Sequence, residues 1–162
     1  MRVPTRRSDK VPRKSLDYKI TIEKHEELRE KLSYLKNEVR PKDAKKLKIL
    51  STTGDYSENA GYQLAKSNLR RLNNRISKIE NIIRKADIIE INKDSNIVEI
   101  GTTVELEIEK SILKYQILGS LETDPGRGFI SYNSPLGSIL LGKKLGDSFE
   151  LNNKHYKIKK IS

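Results

Sequence analysis

The sequence predicts an α+β chain. A basic arm over residues 1–18 precedes an antiparallel coiled-coil hairpin over 19–90, and a small antiparallel sheet domain with one short helix fills 91–162. Three observations predict it. A heptad seam runs unbroken from Tyr62 to Ala86. A cluster of small and turn-forming residues, Ser51-Thr52-Thr53-Gly54, separates that seam from an earlier helical stretch. Beyond Ile91 the hydrophobic period changes from 3.5 to 2, the change from helix to half-buried strand.

The first helix is expected to start at Thr21, an N-cap residue, with Glu23, Glu26 and Glu27 in the first turns where the helix dipole favours negative charge. Leu28, Leu32, Leu35 and Val39 follow as one apolar seam. Pro41 lacks an amide hydrogen, so a kink or restart is expected there before Ala44, Leu47 and Leu50 resume the pattern. On the second arm Tyr62, Ala65, Leu69, Leu72, Ile76, Ile79, Ile83 and Ala86 alternate spacings of 3 and 4. Two such arms joined by a short turn fold back on each other as a rod about 40 Å long.

In the second half Thr103–Ile108, Lys114–Ile117, Phe129–Tyr132, Phe149–Leu151 and His155–Lys159 are expected strands. Ser134-Pro135 is an N-cap followed by proline at the first helical position, which opens a short helix over Leu136–Leu141 closed by Gly142. The boundary between the halves is expected around Asp87–Lys93.

Composition narrows the function. The net charge is +11, and the excess lies in the first 90 residues. A basic half suits a polyanionic partner, nucleic acid or an acidic protein surface. The absence of Cys excludes disulfides, thiolate catalysis and Cys-type zinc sites. His25 and His155 fall in different halves without ligand spacing, and no phosphate loop or nucleophile triad is present. No apolar run reaches the roughly 20 residues that span a bilayer, and no signal-peptide core opens the chain. A soluble, cytoplasmic monomer is expected.

The hairpin turn carries the chemistry. Asp55 and Glu58 are three apart at a helix start. That spacing fits a capping box, each residue satisfying an amide of the first turn. It also fits a pair of hard oxygen ligands that complete the shell of a Mg²⁺ ion held mainly by another protein. The residues alone leave both readings open.

Gly54-Asp55-x-Ser57-Glu58-Asn59-Ala60-x-Tyr62 resembles the tip signature of the GreA/GreB transcript-cleavage factors. Ile20-Thr21, Leu28, Leu32, Leu35 and Arg40-Pro41 resemble the family's first helix. Asp124-Pro125 with Gly128-Phe129-Ile130-Ser131, then Ser134-Pro135-Leu136-Gly137, Leu140–Lys143 and Gly146-Asp147, resemble its FKBP-like C-terminal domain. The resemblance implies a factor that is not an enzyme alone. It docks on bacterial RNA polymerase through the C-terminal domain, with Asp124, Pro125, Ser134, Pro135, Leu136 and Gly137 as docking candidates. Its tip enters the secondary channel, where Asp55 and Glu58 assist a Mg²⁺ shared with the polymerase in cleaving backtracked RNA. Gly54, Ser57 and Asn59 would shape the tip. No cofactor of the chain's own and no stable metal in the free protein are expected.

Lys66, Leu69-Arg70, Leu72 and Arg75-Ile76, with Lys45-Lys46 on the first arm, look more like the GreB branch. Together with Arg71 the basic residues among them make a stripe that suits the phosphates of an extruded RNA 3′ end. Charged flanks that merely solvate a coiled coil are the plain alternative. Two positions depart from the family. Gly61 stands where an acidic residue is common, and Ile139 where a small residue is usual. A channel-binding regulator that inhibits without cleaving is therefore a second hypothesis. A coiled coil binding nucleic acid directly is a third.

Overall fold

The structure, a computed structural model, describes residues 17–52, 60–90, 96–109 and 111–162. The N-terminal arm up to residue 16 and the tip residues Gly54, Asp55, Ser57, Glu58 and Asn59 lie outside them.

The chain enters through a two-residue strand, β1 (Lys19–Ile20), and turns into helix α1 (Ile22–Tyr34). Thr21 caps α1 as expected, its hydroxyl accepting from the Lys24 amide at 3.2 Å. A π-helical turn over Leu35–Val39 then joins α1 to α2 (Arg40–Thr52) without a break. Pro41 explains it. Its ring crowds the carbonyl four residues back, and a wider turn just before it relieves that contact. The Arg40 amide accordingly reaches back to the Leu35 carbonyl. The expected kink is thus a local widening of the helix.

The widened turn shifts the helix phase. After Val39 the half-buried positions are Asp43, Leu47, Leu50 and Ser51, while Ala44 is exposed. The expectation that Ala44 resumes the seam is therefore corrected. A carboxylate stands there instead, and among the described residues no hydrogen bond or ion pair reaches it.

The return arm, α3 (Ala60–Lys85), buries Ala65, Leu72, Ile76 and Ile79 along the heptad seam. Ile20, Leu28, Leu35, Leu72, Ile76 and Ile79 form one apolar cluster at the base of the hairpin, with Leu121 of the second half packed against it. A short strand β2 (Asp87–Ile88) pairs in parallel with β1 and closes that base. Neither two-residue strand has a periodicity that a sequence could display.

The second half is a five-stranded sheet in the order β5-β4-β3-β7-β6. Its strands are β3 (Thr103–Ile108), β4 (Ser111–Leu118), β5 (Phe129–Ser131), β6 (Ser148–Leu151) and β7 (Lys154–Ile161). Neighbours are antiparallel except β4 and β5, which pair in parallel. The crossing from one to the other is made by the loop 119–128, with a single 3₁₀ turn at Pro125–Arg127. Helix α4 (Pro135–Leu140) covers one face through Leu140, against Val98, Val104, Leu106, Ile117, Ile130 and Ile158. Among the described residues no helix is long and apolar enough to cross a membrane.

Candidate functional site

Three regions bear on function: the far end of the hairpin, its flanks, and the loop-and-helix segment of the sheet domain. With 26 residues, α3 spans about 39 Å from Lys85 at the base to Ala60 at the far end. The tip segment carrying Asp55 and Glu58 follows Thr52 and precedes Ala60 in the chain. Gly61 lies in the first turn of α3 and is exposed. Among the described residues no group of three or more His, Asp or Glu side chains could hold a metal ion.

Lys45, Lys46, Lys66, Arg70, Arg71 and Arg75 are all exposed. At about 100° per residue, Lys66 and Arg70 share one flank of α3, while Arg71 and Arg75 share the opposite flank. The four make two pairs astride the solvent face. Lys66 stands over the Tyr62 ring at 5.9 Å, and Arg71 donates to the Ser67 hydroxyl at 3.4 Å.

The docking candidates lie in two well-braced segments, one on either side of β5. Asp124 pairs its backbone with Phe129 in both directions at 2.9 Å and accepts from the Arg127 amide, so the Asp124-Pro125 loop is fixed by main-chain bonds. Gly128 has φ of 80°, a left-handed conformation that a side chain would strain. Arg127 stacks on the Phe129 ring at 5.0 Å. The Ser134 hydroxyl caps α4 by accepting from the Gly137 amide at 3.1 Å. Gly137 is buried against the backbone of Ser131 and Tyr132, where a Cβ would collide with the Ser131 carbonyl. Pro135 is exposed, Leu136 and Ile139 are half-buried. Gly137 thus lets α4 lie close on β5, and Pro135 and Asp124-Pro125 face solvent.

No local pattern in the sequence marks the junction between the halves. The Glu122 carboxylate accepts from the Thr21 amide at 2.6 Å and from the Thr21 hydroxyl at 2.8 Å. Asp17 accepts from the Ser120 amide at 3.0 Å. Gly119 is packed so closely on the Lys19 carbonyl that no side chain fits. A cleft of about 610 Å³ opens beside this junction, lined by Glu23, Lys24 and Glu27 of α1 and by Asp124, Arg127 and Phe129 of the sheet domain. Lys24 and Glu27 are paired at 2.7 Å, and that hydrogen bond holds the Glu27 carboxyl below its ordinary value.

Residues 18–88 match the family description "Transcription elongation factor, N-terminal", and residues 93–162 match "Transcription elongation factor, GreA/GreB, C-term". The chain belongs to the GreA/GreB family. The transcription elongation factor GreA of Staphylococcus epidermidis is 42% identical over 135 residues, covering 80% of this chain and 84% of its own length. GreA of Clostridium acetobutylicum is 37% identical over 139 residues, covering 83% and 87%. Among solved structures, GreA factor homolog 1 of Thermus thermophilus aligns with 89% of this chain and 97% of its own at 27% identity and a TM-score of 0.42. The protein is a transcription elongation factor of this family. By identity it is GreA-like, and the GreB-like expectation drawn from the basic flanks finds no support in these relatives. Solvent-facing positions of a coiled coil accept Lys or Arg at little cost, so they discriminate poorly between close branches.

Proposed function

We propose that this Gre factor docks on RNA polymerase through the segment Asp124-Pro125 and Ser134–Gly137 and delivers the tip to the secondary channel. There it stimulates cleavage of the nascent RNA in backtracked complexes. The single observation that carries the reading is the joint one of a family match over both halves and an Asp55-x-x-Glu58 pair at the end of an arm about 39 Å long. An active site carried on a rod suits a factor that completes another protein's catalytic centre.

Two carboxylates supply too few ligands to hold Mg²⁺ alone, so the ion would be shared with carboxylates of the polymerase. Bound there, it would supply a polarised water for hydrolysis of the phosphodiester. Asp55 and Glu58 would contribute oxygen ligands and orient that water. In the free protein the same pair would cap the start of α3. Lys45, Lys46, Lys66, Arg70, Arg71 and Arg75 would meet phosphates of the displaced RNA 3′ end. The factor itself would not be an enzyme.

The test uses arrested elongation complexes with the wild type and with Asp55→Asn/Glu58→Gln, a change that largely keeps capping but weakens metal affinity. The wild type should release short 3′ RNA fragments, and the double variant should be slower by about two orders of magnitude or more. Failure of the wild type to release fragments would defeat the reading in favour of a channel regulator. Equal rates would remove the role of the two carboxylates.

A further inference from the structure

A rod that works at its end depends on what sets its direction at its base. Among the contacts between the sheet domain and the hairpin, one reaches the N-cap of the rod itself. Thr21, buried and the N-cap of α1, gives both its amide and its hydroxyl hydrogen to the Glu122 carboxylate, at 2.6 and 2.8 Å. The same hydroxyl oxygen still caps the Lys24 amide. One side chain therefore joins the first turn of the hairpin to the loop that precedes Asp124-Pro125. The acceptor is a carboxylate, and hydrogen bonds to carboxylate oxygens are stronger than those between neutral groups.

That loop is in turn tied to the docking segment. The Ser120 hydroxyl lies 3.1 Å from the Ser131 hydroxyl, and the latter accepts from the Asn133 amide at 3.1 Å, next to the Ser134 cap of α4. On the other side Ser120 donates its amide to Asp17, and Leu121 packs on the Ile20 cluster at the hairpin base. A connected run of bonds thus leads from the N-cap of the rod to the start of α4. Gly119 adds a close backbone approach to Lys19 but no directional bond, and the ion pair of Lys19 with Asp87 is exposed and lies within the hairpin, so it does not orient the two halves.

We propose that Glu122 is a positioning residue, which fixes the aim of the hairpin relative to the docking segment by clamping Thr21; this rests on the cleavage reading above. The leverage is large. A rotation of about 10° at the junction moves the end of α3 by roughly 7 Å, whereas productive geometry is lost with a misplacement of about 1 Å.

The full chain has no cysteine of its own, so Asn68→Cys on α3 and Lys154→Cys on β7, both exposed, accept a pair of spin labels. The double-labelled parent should give one narrow distance distribution, kept by Thr21→Ser. Glu122→Ala should broaden it with circular dichroism unchanged. If Glu122→Ala does not fold, Glu122→Gln carries the test with an intermediate broadening, since its amide nitrogen cannot accept the hydroxyl proton. In the cleavage assay Glu122→Ala should lower the rate at saturating factor about tenfold, with less than about threefold change in the half-saturating concentration. A distribution as narrow as the parent's in the folded Glu122 variants, or a loss confined to half-saturation, overturns the proposal. Absence of cleavage by the wild type would instead remove the functional reading, and the distance data, which need no polymerase, tell the two failures apart.

Discussion

The two ends of the hairpin are built on one heptad pattern but packed very differently. Near the base, Leu28, Leu35, Ile76 and Ile79 are buried together with Ile20, and Leu121 of the sheet domain seals them. Toward the tip, α2 buries none of its residues, and the seam of that arm is Asp43, Leu47 and Leu50, all half-buried. The lesson is that a heptad repeat specifies a direction of packing, while burial depends on what else covers the seam. At the base a third element does so. Further out only the two helices face each other, and there the small Ala65 of α3 is buried while the larger side chains of α2 stay partly open.

That contrast can be broken most forcefully at the base. Ile76→Ala should cost about 3 kcal/mol, because the cavity it leaves cannot collapse. Leu47→Ala in the distal half should cost about 1 kcal/mol or less, in proportion to its partial burial. Urea unfolding followed by circular dichroism compares the two, and equal losses would mean that the ends are packed alike.

A smaller change sharpens the comparison from the other side. Asp43→Leu should stabilise the hairpin by ~1 kcal/mol by restoring an apolar residue to the seam. Amide exchange should slow over residues 43–52 and 60–69, while protection around Ile76 and Ile79 stays as it was. Slowing at the base alone would place Asp43 outside the seam.

The smallest effect belongs to the exposed ion pair that joins β1 to β2. The hydrogen bond from Lys19 to Asp87, with the charge of that carboxylate, holds the Lys19 ammonium above its ordinary value of 10.5. A folded-state value that is raised gives stability in full below the unfolded value and loses it as pH rises through the folded one. Asp87→Asn should therefore lower the urea midpoint slightly near neutral pH, and the difference should vanish at strongly alkaline pH. Being exposed, the pair should also weaken with added salt.

Much of this was legible in the sequence. The α3 seam is buried or half-buried at all its expected positions from Tyr62 to Ala86. Strand β3 has the expected bounds, β4 and β7 run longer, and the Ser134-Pro135 opening of α4 is where its cap chemistry placed it. These are local signals, in which each residue's neighbours along the chain are also its neighbours in space. What was missed is non-local. Across the π turn the seam continues at Asp43 and leaves Ala44 exposed, because a one-residue change of phase is invisible to spacing alone. Lys19–Ile20 and Asp87–Ile88 are too short to show a period. Glu122, between Leu121 and Thr123, reads as an ordinary loop carboxylate until the fold brings Thr21 to it.

The sequence by itself determined the two architectures, the order in which they occur, and the Asp55-x-x-Glu58 spacing of the tip. Hydrophobic period and cap chemistry are written residue by residue, and both act within a few positions. Only the tertiary structure decided how the halves are joined. The Glu122 clamp on Thr21 and the close approach of Gly119 to Lys19 link residues about a hundred positions apart. No local pattern records such a pairing, because its free energy exists only once both domains have folded and excluded water between them.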